Sequence, residues 1–176
     1  MCSRKLKRAA ALQNELTGEW NLLRSKNFDK FLSKLGFGSM HRYITALEST
    51  TLTISIRENI WTMFTEGSFA IHRTTFEIGK TIEERTIDGR TVKCTWSMGR
   101  IRRRLRCVER NEETGVKMTS EMYVKGGLLI HKMKCGGVTA TRRYEKLSDS
   151  SFRRLSSSFL IPSSSNAQNE ICYWIR

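Results

Sequence analysis

The sequence predicts an all-β protein: a closed antiparallel barrel with two short helices inserted after its first strand. Three observations lead to this prediction. Between Thr50 and Leu147, turn signals rich in glycine recur about every ten residues, as they do in an antiparallel meander. Helical periodicity is absent from that stretch, so parallel strand–helix–strand units are not expected. A meander with this many strands either exposes its edges or closes on itself, and closure removes the edges.

The elements before the meander follow from local patterns. Residues Gly18–Leu23 alternate as a strand, with Trp20 and Leu22 on one face. Asn27 then occupies the N-cap position of a first helix, whose apolar residues recur at helical spacing. Gly36 ends that helix, because glycine readily adopts the left-handed conformation of a C-terminal cap.

A second short helix is predicted directly afterwards. Ser39 is a suitable N-cap, and Met40, Ile44 and Leu47 then share one face of the helix. The two helices together form a small amphipathic pair. We expect this pair to interrupt the barrel only once, between its first and second strands.

The chain divides into three segments around this barrel. A length of 176 residues supports one compact domain, which we place at residues 17–147. Residues 1–16 are predicted to be a basic N-terminal extension. Residues 148–176 form a serine-rich tail, which is predicted to be disordered because it cannot bury enough apolar surface to offset its ordering entropy.

Composition narrows the function. The net charge of +14, from 31 basic and 17 acidic residues, favours anionic partners such as nucleic acid, acidic membrane surfaces or acidic small molecules. Five cysteines without a Cys-x-x-Cys pair and three scattered histidines predict free thiols, no metal site and no cofactor. Familiar hydrolase and metalloprotease motifs are absent, so we do not expect an enzyme. A soluble monomer of the cytoplasm is expected, with nuclear entry left open.

An ordered set of motifs resembles the intracellular fatty-acid-binding protein family. Gly18–Leu22 and Asn27–Leu32 resemble the family's first strand and first helix. Phe76–Gly79 and Asp88–Lys93 resemble its paired central strands, and Cys135–Lys146 resembles its last hairpin. The resemblance covers nearly all of the predicted barrel. It implies about ten strands arranged as a β-clam, a ligand cavity inside, and a lid made by the two helices.

The resemblance also implies a site for a carboxylate head group. The family's Arg-x-Tyr pair on the last strand falls on Arg142 and Tyr144. Strand alternation puts these two side chains on one face and Arg143 on the other. A guanidinium matches the charge and the geometry of a carboxylate, while an apolar cavity gains about 0.8 kcal/mol for each CH₂ group that it buries.

One position departs from the family's pattern. Many members supply a second inward arginine, and the family's spacing brings this position to Met122, which cannot bind a carboxylate. The head group then rests on Arg142 and Tyr144 alone, or Arg103 replaces the missing arginine. Arg103 would lie inside if the apolar face of the predicted strand Ile101–Arg106 faces inward, where a buried guanidinium needs an anionic partner.

The sequence therefore predicts an intracellular carrier that binds a long-chain fatty acid or a related hydrophobic carboxylate and delivers it to membranes or proteins. Basic residues predicted to contact anionic lipid lie on one strand and on the helical pair: Arg102, Arg104, Arg106, Lys30, Lys34 and Arg42. Two alternatives stay open. One is a retinoid carrier of the same family. The other is a basic β-barrel that binds nucleic acid, although the aromatic residues fall mostly at predicted core positions.

Overall fold

The computed structural model of the protein describes residues 2–47, 49–67, 71–86, 89–99 and 103–147. The predicted tail, residues 148–176, lies outside the described residues, as do Asp88, Ile101 and Arg102. The elements, in chain order, are α1 (Cys2–Leu16), β1 (Gly18–Lys26), α2 (Phe28–Leu35), α3 (Ser39–Leu47), β2 (Thr50–Arg57), β3 (Ile60–Gly67), β4 (Ile71–Glu77), β5 (Thr81–Arg85), β6 (Thr91–Met98), β7 (Leu105–Arg110), β8 (Lys117–Lys125), β9 (Leu128–Cys135) and β10 (Val138–Lys146).

The ten strands form one antiparallel sheet that wraps into a barrel. Its hydrogen-bonded order is β4-β3-β2-β1-β10-β9-β8-β7-β6-β5, so the first strand pairs with both the second and the last. The predicted all-β barrel with a helical pair after its first strand is confirmed. β4 and β5 stand at the two ends of this order, and the barrel wall therefore has a seam between them.

Side chains bridge the seam. Thr74 Oγ1 on β4 donates a 2.6 Å hydrogen bond to Glu84 Oε1 on β5, and His72 Nε2 lies 2.7 Å from the same oxygen. Thr74 and Glu84 are both buried. Because a buried carboxylate is costly without polar partners, these contacts stabilise Glu84 and hold the two edges together.

Two clusters of buried side chains fill parts of the interior. The larger cluster contains an aromatic stack in which Phe76 lies between Trp61 and Trp96, at ring distances of 5.9 Å and 4.2 Å. The smaller cluster joins the apolar face of α2 to residues of β9 and β10 near the turn between these strands. Its members are Phe31, Leu32, Leu35, Met133, Cys135 and Ala140. Burial of each large apolar side chain stabilises the fold by roughly 1.5–3 kcal/mol.

Residues 1–16, described in the sequence analysis only as a basic extension, contain the helix α1. Leu12 and Leu16 are four residues apart on one face, and both are buried in the larger cluster. Trp20 Nε1 donates a 2.9 Å hydrogen bond to the Leu16 carbonyl, and Glu15 forms an ion pair with Arg103 in the β6–β7 connection. The N-terminal segment is thus packed against the barrel.

α1 and the helical pair lie at opposite ends of the barrel. α1 contacts β8 and the connection before β7, whereas α2 contacts β9 and β10 close to their shared turn. In an antiparallel meander, successive turns alternate between the two ends, so the β6–β7 and β9–β10 turns are on opposite sides. One end is therefore closed by α1 and the other by α2 and α3.

The first lid helix, α2, has the predicted bounds, but Asn27 does not cap it through its side chain. Asn27 is at the N-cap position, yet its φ is 56° and its side chain makes no capping hydrogen bond. Instead, Asn27 Nδ2 donates to the Thr139 carbonyl at 3.2 Å, which ties the start of the lid to β10. Gly36 ends the helix in the left-handed conformation, as predicted, with a φ of 93°.

The second lid helix, α3, begins one residue earlier than its predicted cap implies. The Arg42 N–H donates to the Gly38 carbonyl at 3.1 Å, so Gly38 is the N-cap and Ser39 is already helical. Met40 and Tyr43 are exposed, at 69% and 66%, although Met40 belongs to the apolar face that the sequence predicts. Across the described ranges, the helices are all too short or too polar to cross a bilayer.

Candidate functional site

The last strand carries the two predicted binding residues on the inner face of the barrel. Arg142 is 7% exposed and Tyr144 is 2% exposed, whereas Arg143 between them is exposed. A β-bulge in β1 between Leu22 and Arg24 shifts the register, and as a result Ser25 lies directly opposite Arg142. The bulge thus gives the guanidinium a hydroxyl neighbour on the adjacent strand.

Arg142 is held by hydroxyls and aromatic rings. Its Nη2 donates to Thr50 Oγ1 at 2.9 Å, and its Nε donates to Ser25 Oγ at 3.3 Å. The guanidinium carbon lies 4.5 Å from the centre of the Phe28 ring and 5.7 Å from that of Tyr144. Within the described ranges, no carboxylate pairs with Arg142, so its charge is buried without a counter-charge.

Phe28 connects this site to the lid, because it is the first residue of α2. The aromatic face that covers the guanidinium therefore moves with the helix. A cation–π contact of this kind stabilises an arginine by about 0.5–2 kcal/mol, depending on how far the pair is desolvated. Displacement of α2 would uncover Arg142.

Tyr144 adds a second polar group. Burial raises the pKa of its hydroxyl above the ordinary value of 10.0, although the nearby Arg142 guanidinium opposes that shift. The hydroxyl is thus protonated at neutral pH and able to donate a hydrogen bond. It has no hydrogen-bond partner in the described part of the chain, which leaves that donor available.

His131 is an inner-face residue that the sequence analysis missed. It lies on β9 directly opposite Arg142 on β10 and Met122 on β8. Burial and the Arg142 charge lower the pKa of its imidazole to about 3. The ring is therefore neutral at physiological pH, with one nitrogen that donates and one that accepts.

The predicted inward position of Arg103 is wrong. β7 begins only at Leu105, so Arg103 belongs to the connection before the strand and does not share its alternation. Its side chain is exposed and forms an ion pair with Glu15 of α1. Leu105 is on the inner face as predicted, and Met122 beside it is 1% exposed.

Several predicted membrane contacts are neutralised by acidic partners. Glu121 pairs with both Arg104 and Arg106, and Arg104 also lies 4.3 Å from the centre of the Tyr123 ring. On the lid, Arg42 Nε pairs with Asp29 Oδ1 at 2.9 Å. Lys30 and Lys34 of α2 are exposed, and neither has an acidic partner in the described ranges.

The lid is fastened to the barrel from two sides. Arg90, after the β5–β6 turn, donates to the Leu35 carbonyl at 2.6 Å and stands 5.0 Å above the Phe37 ring. A cation near the last carbonyls of a helix is favourable because it opposes the helix dipole. On the other side, the Lys34 side chain packs within 4 Å of the position that a Cβ at Gly136 would occupy.

Several side chains on the inner face of the barrel are only partly buried. Met63 lies opposite the buried Ile54, and Met118 opposite the buried Cys135, so both belong to the inner wall, yet neither is fully covered. His131 lies deep inside the molecule and is also only partly covered. An inner wall that stays partly accessible is typical of a barrel that encloses a ligand space.

The interior thiols are small apolar groups in this setting. Cys94, Cys107 and Cys135 are free and buried. A hydrogen bond with Cys107 and burial raise the pKa of Cys94, which keeps that thiol protonated. Nowhere in the described ranges do three metal-ligating side chains come together in a way that could hold an ion.

The architecture is a ten-stranded antiparallel β-barrel with a helical lid after its first strand. Residues 17–147 match the model of the lipocalin/cytosolic fatty-acid binding protein family, and the chain belongs to that family. Its fold is the calycin barrel of lipid-binding carriers.

Individual relatives agree with this placement. The chain is 32% identical over 140 residues to the 14 kDa fatty acid-binding protein of Schistosoma mansoni, covering 74% of this chain and 96% of that protein. It is 30% identical over 139 residues to human fatty acid-binding protein 5, covering 78% and 98%. A solved structure of the Schistosoma mansoni fatty acid binding protein in complex with arachidonic acid superposes with a TM-score of 0.72 at 30% identity, covering 77% and 98%.

Proposed function

We propose that this protein binds a long-chain fatty acid or a related hydrophobic carboxylate inside the barrel and carries it through the cytoplasm. The observation that supports the proposal is Arg142, a buried guanidinium whose hydrogen-bond partners are two hydroxyl groups. A buried charge without a counter-charge is costly. A carboxylate would supply that counter-charge and accept hydrogen bonds from the guanidinium fork and from the Tyr144 hydroxyl.

The acyl chain supplies the remaining affinity in this proposal. Each CH₂ group that leaves water contributes about 0.8 kcal/mol, so a long chain outweighs the cost of ordering it. Met63 and Met118 on the inner wall are flexible and polarisable, which suits contact with a bent or unsaturated chain. The Schistosoma mansoni protein that was solved with arachidonic acid, 30% identical, supports this class of ligand.

A titration of matched ligands tests the carboxylate site. Oleate, oleyl alcohol and retinoic acid would each displace a fluorescent naphthalene probe from the wild-type protein and from Arg142→Met and Arg143→Met. We expect Arg142→Met to bind both acids at least tenfold more weakly, because a hydrogen-bonded ion pair is lost. Oleyl alcohol should change little.

Arg143→Met is the matched control, since this neighbouring arginine faces outward. It should bind all three ligands as the wild type does. Unchanged oleate affinity in Arg142→Met would remove the site assignment. The ratio of oleate to retinoic acid affinity in the wild type distinguishes a fatty-acid carrier from a retinoid carrier.

We also propose that the lid contacts anionic membranes during ligand transfer. Met40 and Tyr43 present an exposed apolar surface on α3, and the exposed Lys30 and Lys34 lie on the adjoining α2. Apolar groups that enter the headgroup region together with lysines near an anionic surface, at about 1 kcal/mol each, favour such contact.

Transfer kinetics test the membrane contact. The rate of fatty-acid transfer to phosphatidylcholine vesicles is compared with the rate to vesicles that also contain phosphatidylserine. Met40→Ser/Tyr43→Ser should slow transfer to the anionic vesicles several-fold, and Val108→Ser, which alters an exposed apolar residue on the barrel wall, should not. Transfer that is insensitive to lipid charge, to salt and to the lid variant would contradict the proposal.

A further inference from the structure

His131 is a polar side chain on the inner wall, and its contacts in the described residues give it no structural role. His131 stands between Arg142 and Met122 in a row of directly opposed residues across three adjacent strands. Directly opposite residues bring their Cβ atoms to about 4.5–5.5 Å, so the three side chains share one surface patch. Met122 is the position at which the resemblance leads one to expect a second arginine.

The nitrogen atoms of His131 have no hydrogen-bond partner among the residues that the structure describes. The imidazole forms no hydrogen bond or ion pair with any residue in the described ranges, although its neighbour Arg142 forms two hydrogen bonds. A polar ring in the interior of a protein is stabilised when its nitrogen atoms find hydrogen-bond partners. His131 lies deep inside the molecule and keeps part of its surface accessible, so packed side chains do not cover it completely.

We propose that His131 is the second head-group contact of this barrel: it donates a ring N–H to the carboxylate oxygen that Arg142 leaves free. This proposal rests on the proposed function, because it assumes a carboxylate at Arg142. His131 then takes the part that an arginine at position 122 would take, from the adjacent strand.

The chemistry of a neutral imidazole suits this position. The low pKa of His131 keeps the ring uncharged beside the Arg142 guanidinium, so the protein without a ligand avoids a second buried charge next to the first. A second arginine would add that charge whether or not a ligand is present. The head group thus meets one fixed cation and one neutral donor, and a single negative charge satisfies both.

Two substitutions at His131 separate donation from packing. His131→Leu keeps a similar volume and removes the donor, whereas His131→Asn keeps an N–H. We expect His131→Leu to bind oleate about tenfold more weakly and His131→Asn to retain most of the wild-type affinity. Oleyl alcohol should bind all three proteins within about twofold, since it lacks the second oxygen that His131 contacts.

A rescue experiment tests the equivalence of the two positions. Met122→Arg in the His131→Leu background should recover most of the lost oleate affinity, because a donor returns to the same patch from the neighbouring strand. Urea unfolding of each variant shows that it is folded. If Met122→Arg does not fold, ¹⁵N spectra of the histidines in the wild-type protein serve as the test instead. The chemical shifts of the His131 ring nitrogens should change when oleate is added and not when oleyl alcohol is added.

The outcomes distinguish this inference from the proposed function. Loss of oleate binding in Arg142→Met with unchanged binding in His131→Leu would overturn the role of His131 and leave the carrier function intact. Equal losses of oleate and oleyl alcohol in His131→Leu would also overturn it, because they indicate a packing role. Failure of the wild type to bind any of the acids would overturn both proposals together.

Discussion

His131 and Arg142 are adjacent on the inner wall, and burial together with the Arg142 charge keeps the imidazole of His131 neutral. A guanidinium stays charged in proteins, so Arg142 is a fixed cation beside the imidazole. Burial, and in second place the Arg142 charge, lowers the pKa of the His131 imidazole from 6.5 to about 3. The inner wall of the barrel, which otherwise consists largely of apolar side chains, therefore carries a neutral donor, His131, beside a fixed cation, Arg142.

The lowered pKa of His131 makes the stability of the protein depend on pH. Below about pH 6.5 the unfolded chain binds a proton at this residue, but the folded protein does not bind it until about pH 3. The free energy of unfolding must therefore fall as the pH falls through this window. At pH 5 the loss from this group reaches about 2 kcal/mol, at about 1.4 kcal/mol per pH unit.

Urea unfolding of the wild type and of His131→Leu at pH 7.5 and pH 5 measures this contribution. The variant should gain stability relative to the wild type as the pH is lowered, while other titrating groups contribute equally to both proteins. A stability difference that is the same at both pH values would contradict the assigned shift.

Alternation predicts that Arg142 and Tyr144 share one face, because β10 is regular from end to end, and the family resemblance predicts that this face is the inner one. The same reasoning does not hold for Arg103. This residue precedes β7, whose alternation begins only at Leu105. His131 gives no signal in the sequence. Its neighbours Leu129 and Ile130 are apolar on both faces of β9, so the face that looks inward cannot be read from hydrophobicity.

At the scale of elements, α1 is the part of the fold that depends most on tertiary contacts. The helix has no acidic residue in its first turn, where the helix dipole favours negative charge. Among the helix residues whose burial is described, 6–16, only Leu12 and Leu16 are fully buried. A short helix with these features is not stable alone, and its sequence therefore resembles a polar extension until the barrel surface is known.

Leu16→Ala tests whether α1 stabilises the barrel. We expect the free energy of unfolding to fall by about 2–5 kcal/mol, the usual cost of such a substitution at a fully buried leucine. Leu6→Ala is the matched control on the same helix, because Leu6 is 65% exposed, and it should change stability by less than about 0.5 kcal/mol. Urea denaturation at neutral pH measures both.

Equal effects of the two leucine substitutions would show that α1 does not dock in solution. The packing of α1 also bears on the stability of any shortened form of the chain. A protein trimmed to residues 17–147, the extent of the family match, would lose Leu12 and Leu16 and expose the Trp20 side of the core.

At the scale of the whole molecule, the spacing of the turns was sufficient to predict the barrel. Gly126-Gly127 and Gly136-Gly137 adopt the positive φ values that tight hairpins need, so these two turn signals mark reversals of the chain. The seam could not be predicted in the same way. Whether the neighbouring strands β4 and β5 pair depends on how the whole barrel closes. Local sequence patterns carry no information about that closure.

The seam gives the barrel a preferred place to widen. Everywhere else, adjacent strands are joined by backbone ladders, and separating them would leave many amides without partners. Between β4 and β5 the connection includes the contacts of a single carboxylate, Glu84, with Thr74 and His72. A cargo bulkier than the resting interior would therefore push these two strands apart first, and the circumference would grow without the loss of any ladder.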